Sequence, residues 1–119
     1  MSKFVVTDYD TPKQILKFPD HYVAMAVTVD DAGVTPDENG KKIVPAGTIV
    51  GGGFIKNDSV KAVKANNENA EGVLFNDVDV TYGPAPGAVI IHGFIEVDKL
   101  PEPPTVEAET ALNMIKFIK

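Results

Sequence analysis

Glycine and proline stop every regular pattern in this chain before it grows long. They cluster at Pro36, Asn39-Gly40, Pro45-Ala46-Gly47, Gly51-Gly52-Gly53, Gly83-Pro84, Pro86-Gly87 and Pro101, Pro103, Pro104. Proline fixes φ and lacks an amide hydrogen, and glycine admits positive φ, so a chain punctuated this way turns often. Between the breaks the apolar residues alternate with a period of two, which is the pattern of short, half-buried strands.

Residues 22–29 carry the first such pattern, with Val23, Met25, Val27 and Val29 on one face and Ala24, Ala26 and Thr28 on the other. Short strands are predicted at 43–44 and 48–50, and an alternating one at 60–64. The clearest strand spans 72–81, with a slip of phase near Asn76 that predicts a bend or bulge. Residues 82–87 (YGPAPG) read as a rigid turn, and 88–97 as a further strand interrupted by Gly93. After the prolines, Thr105 is a helix N-cap, with Glu107 and Glu109 in the first turn where carboxylates are favoured. Ile115 and Phe117 alternate with Lys116 and predict a closing strand. The expected fold is mostly β, a small barrel or sandwich with one short helix near the C-terminus. Residues 1–20 have no sustained period and predict an extended N-terminal arm, leaving 21–119 as a single β-rich domain.

The 119 residues suit one domain, and 44% hydrophobic content supplies a core. There is no cysteine, which excludes disulfides, thiolate metal sites and cysteine nucleophiles. The formal charge is −6, no arginine occurs and the lysines are scattered. Nucleic acids and anionic membranes demand a basic face, so neither is an expected partner. The opening MSKFVVTDYD does not read as a signal peptide, and no apolar run is long enough to predict a membrane helix.

Few residues carry the marks of chemistry. His21 precedes a strand and His92 lies inside one. Ser2 and Ser59 are the only serines, and neither sits in a strand-to-helix elbow. Both histidines are expected to be surface or hydrogen-bonded strand residues. Asp77 and Asp79 share one side of the predicted strand and could meet Glu96 or Asp98 across a hairpin. Alternating acids on a half-buried strand are usually its solvated side, and Asp31, Asp37 and Glu38 miss the calcium-loop spacing. Gly51-Gly52-Gly53 is followed by no helix signal, so a flexible turn or close backbone packing is expected in place of a phosphate cradle. No catalytic, cofactor-binding or metal-binding residue is predicted, and the chain is not expected to be an enzyme.

Two stretches carry a family signal. Residues 42–52 read KIVPAGTIVGG, and residues 71–101 read EGVLFNDVDVTYGPAPGAVIIHGFIEVDKLP. With the order of parts (arm, β-rich body, acidic helix after proline, short last strand), they resemble the head decoration proteins of tailed phages, the lambda-type proteins among them, and related head-fibre proteins of phages infecting Gram-positive bacteria. The resemblance covers residues 20–119. It implies a structural virion protein made in the bacterial cytoplasm, placed on the outer capsid surface as a homotrimer, with the major capsid protein as partner. On this reading the arm makes the shell contact. Phe4, Val5 and Val6 would pair as an added strand, and Ile15, Leu16 and Phe18 would fill a groove. The bland alternative makes residues 4–7 the first strand of the body. A different class of function is a small β-barrel ligand- or glycan-binding module, with the glycine-rich and YGPAPG loops ringing its mouth.

Overall fold

A computed structural model describes residues 15–31, 33–57 and 59–119. Eight strands and one short helix follow in the order β1 Val23–Val29, β2 Ile43–Val44, β3 Ile49–Gly51, β4 Val63–Lys64, β5 Ala70–Leu74, β6 Val78–Asp79, β7 Ala85–Glu96, α1 Val106–Ala111 and β8 Ile115–Ile118, with a 3-10 turn at Val97–Lys99. Among the described residues the fold is mostly β with one short α-helix near the C-terminus.

The main sheet has the order β1-β7-β5-β3-β4, and β8 lies parallel to β7. β2 and β6 form a separate two-stranded ribbon. The two ends of the sheet touch at one bridge, Val29 to Ala62, so the sheet curls without closing. This open form is sandwich-like and replaces the barrel alternative. Among the described residues no helix is long and apolar enough to cross a membrane.

The two faces of the sheet bury different residues of the same strands. Ile49, Val73 and Ile90 point to one side, where α1, β8 and residues 15–16 cover them through Ala108, Leu112, Ile115, Ile15 and Leu16. Val50, Leu74 and Val89 point to the other, under Val44 and Val78 of the ribbon and under Phe54 and Val80. β3 and most of β5 are therefore buried on both faces, and their sequences read as near-continuous apolar runs. Each fully buried Val, Leu or Ile contributes about 1.5–3 kcal/mol of transfer free energy.

The predicted strand at 72–81 is two elements. The chain leaves the main sheet after Leu74 and re-enters pairing at Val78, in the ribbon with β2. The phase slip at Asn76 is this change of sheet. The predicted turn at 82–87 is shorter, because β7 already begins at Ala85. The arm boundary at residue 20 also moves. Ile15 is fully buried, Leu16 bridges Ile95, and Glu96 donates its amide to the Ile15 carbonyl at 2.8 Å. Residues 15–17 thus belong to the body.

Candidate interaction surface

β7 is twelve residues long and holds most of the molecule together. Along one edge it pairs first with β1, over residues 85–92, and further on with residues 15–17. Along the other it pairs with β5 at Val73–Leu74 and then with β8. A register shift lies between Val23, opposite His92, and Ala24, opposite Ile90, leaving Ile91 as an extra residue. Such a bulge shifts the phase of the pleat. Beyond it Gly93 and Ile95 are buried, while His92, Phe94 and Glu96 are partly exposed.

The first edge has a second irregularity. Lys17 donates its amide to the Phe94 carbonyl at 2.9 Å, and the next paired residue is Val23, opposite His92. Residues 18–22 therefore loop out beside the single residue Gly93, closed by the His21 amide donating to the Phe18 carbonyl at 3.2 Å. A Cβ on Gly93 would lie 3.2 Å from the Tyr22 Cβ and 3.5 Å from the His21 carbonyl oxygen, so glycine lets the loop approach. The loop sets aromatic rings against the sheet. Phe18 packs edge-on to Phe94 with centroids 5.4 Å apart, Tyr22 lies 5.3 Å from Phe75, and His21 lies 5.2 Å from His92. Phe18, Tyr22 and Val23 remain 50%, 39% and 49% exposed, three apolar surfaces of one loop and strand start.

This loop leads into an edge strand. β1 reads VAMAVTV, with no charge, proline or glycine. Among the described residues no strand pairs with the outer edge of its first five residues; the Val29–Ala62 bridge caps only its far end. Unpaired amides and carbonyls on an uncharged edge form a template for another strand. The opposite end of the sheet is built differently: β4 is two residues long and carries Lys64, which pairs with Glu102 at 3.4 Å.

The residues singled out from sequence are dispersed. Phe4, Val5 and Val6 lie outside the described residues. Ile15 and Leu16, expected to fill a partner's groove, are 0% and 3% exposed and occupy the chain's own core, where their apolar surface is already removed from water. Phe18 alone of the described trio faces solvent. Asp77 and Asp79 are both exposed and alternate with the buried Val78 and Val80, although β6 begins only at Val78. Asp77 accepts the Ala46 amide at 2.7 Å, and Asp79 accepts the Thr81 amide at 2.9 Å together with its hydroxyl. Those bonds from Thr81, hydroxyl first and amide second, hold the Asp79 carboxyl below its ordinary pKa. Asp37 accepts the amides of Asn39 and Lys41 and closes the Asn39-Gly40 turn. Among the described residues no group of three or more His, Asp or Glu side chains is placed to hold a metal ion.

The glycine triplet is a site of close packing. A Cβ on Gly51 would overlap the Asn69 carbonyl oxygen, and Gly52 and Gly53 have φ of 118° and 109°. The amides of Gly53 and Phe54 donate to one Glu71 oxygen at 2.6 and 2.9 Å. The anion these amides face is the protein's own carboxylate. An apolar cleft of about 370 Å³ opens near Val34, Val44, Ile49 and Pro101, but neither the glycine triplet nor residues 82–87 line it. The loops expected to ring one mouth do not converge there.

Nothing in the sequence signalled Asn66. Its side-chain amide donates to Glu102 and to the Pro103 carbonyl, both at 3.0 Å, and its side-chain oxygen accepts the Thr105 amide at 2.9 Å. It ties the proline segment and the N-cap of α1 to the turn after β4. Thr105 in turn accepts the Ala108 amide at 3.1 Å, as a capping residue does. The Asn66 amide, with Lys64 second, holds the Glu102 carboxyl below its ordinary pKa.

No protein-family model matches this chain, and no curated protein matches it.

Proposed function

We propose that this protein is a structural component of a phage head, bound as a homotrimer to the outside of the expanded capsid and bracing it. The observation that carries this reading is the uncharged β1 edge, flanked by exposed Phe18, Tyr22 and Val23. A free edge supplies main-chain hydrogen bonds to a strand from another chain, and adjacent apolar side chains supply the desolvated contact that fixes its register. Phe4, Val5 and Val6 are the strand-forming residues that pair with the shell, and Phe18 packs beside them. Ile15 and Leu16 anchor that segment to the body and make no shell contact themselves. Three equivalent contacts per trimer raise the effective concentration of each one.

The test is cosedimentation of the purified chain with expanded and unexpanded heads of the phage that encodes it. The chain is expected to pellet with expanded heads only, and light scattering is expected to give three chains per particle in solution or on the shell. A chain that stays in the supernatant with both kinds of head overturns the reading.

A further inference from the structure

The imidazoles of His21 and His92 come together from positions 71 residues apart, with their Nε2 atoms 3.3 Å from each other. The ring planes are inclined by 70° and the ring centroids are 5.2 Å apart. Two imidazole nitrogens bound at about 2.0–2.1 Å to one tetrahedral ion stand about 3.3–3.4 Å apart, with their ring centroids about 5.2 Å apart. A straight N–H···N hydrogen bond of the same length would hold the centroids about 5.6 Å apart, because each ring would extend directly behind its nitrogen. The observed centroids lie at the shorter separation, which a bent hydrogen bond between the two rings and a shared ion both satisfy.

The other nitrogen of His92 suits the shared ion. His92 Nδ1 lies 2.9 Å from the Met114 carbonyl oxygen. A carbonyl only accepts, so Nδ1 carries a proton, and in the neutral ring Nε2 is left with its lone pair. Metal-bound histidines are oriented in this way, one ring nitrogen donating to a carbonyl while the other meets the ion. The backbone enforces both positions. β8 brings the Met114 carbonyl to His92, and the 18–22 loop seated over Gly93 brings His21.

We propose that His21 and His92 bind one divalent transition-metal ion of the class that prefers imidazole, such as zinc, copper or nickel. With two protein ligands the remaining coordination positions are open to water or to a group from another molecule. Bound there, the ion ties the 18–22 loop to β7 and stiffens the exposed aromatic loop beside the β1 edge.

Titration of the full chain with zinc chloride, followed by calorimetry and by the ¹⁵N signals of both imidazoles, tests this directly. One ion per chain is expected, with both imidazoles perturbed together, and His21→Ala and His92→Ala should each weaken binding at least tenfold. His21 is exposed, so His21→Ala is expected to keep the wild-type amide spectrum. It serves as the deciding variant if His92→Ala loses structure. Absence of binding at millimolar zinc, one ion shared by two chains, or binding that survives His21→Ala would each overturn the proposal.

Discussion

Two backbone amides, those of Gly53 and Phe54, end on a single oxygen of Glu71, at the point where the chain turns from β3 toward the buried Phe54. Removing that carboxylate leaves both donors without their partner in a partly buried turn. Glu71→Ala is expected to lower stability by about 1–3 kcal/mol, read as a lower urea midpoint at unchanged slope, and Glu71→Gln to restore part of it through its remaining acceptor. Asp79 and Glu102 give a second residue-scale expectation. Both carboxyls are held below their ordinary pKa by hydrogen bonds in the folded state. The unfolded chain therefore takes up their protons first as the pH falls. The stabilisation is complete above the ordinary carboxylate pKa, about 4, and is lost as the pH falls through the lowered folded values. Thr81→Val and Asn66→Ala should each flatten the decline of stability between about pH 5 and 3, measured by urea unfolding across that range.

At the scale of elements, β1 is the exposed liability and the proposed instrument of binding. Ala26 is exposed and sits opposite Ala88. A charge there blunts the edge as Lys64 blunts β4. Ala26→Lys is expected to change stability by no more than about 0.5 kcal/mol, while abolishing cosedimentation with expanded heads. Elements specified by neighbouring residues were legible in the sequence. Thr105 caps α1 through a residue three positions on, and β8 shows in the alternation of Ile115 and Phe117 with Lys116. Pro86 and Gly87 misled because turn-forming residues here serve a strand. Gly87 lies where a Cβ would crowd Val78 and Val29, so packing from distant segments sets its role. The aromatic loop was illegible for the same reason: its partners Phe94, His92 and Gly93 lie some seventy positions away.

For the whole molecule, the core is continuous with the segment expected to be an arm. Leu16 is 3% exposed and packs in the cluster beneath α1. Leu16→Ala is expected to cost about 2–5 kcal/mol, seen as a lowered thermal midpoint. Deletion of residues 1–18 should unfold or strongly destabilise the protein, whereas deletion of 1–14 should spare the body and abolish shell binding. Ile15 and Leu16 had no period to announce them, and the contact that buries them lies nearly eighty positions further along.

That distance also bears on how fast the protein forms. The last four residues of β7 are flanked by residues 15–17 on one edge and by β8 on the other. Neither flank is a hairpin neighbour, and the pairing with residues 15–17 closes a loop spanning most of the chain. The entropy of that closure is lost before its contacts give anything back, which places such topologies in the millisecond-to-second range. During synthesis Ile15 and Leu16 cannot dock until residues 93–96 have left the ribosome, and β8 arrives later still. Leu16→Ala should then slow refolding as well as accelerate unfolding, because its contact forms with the closure that sets the barrier.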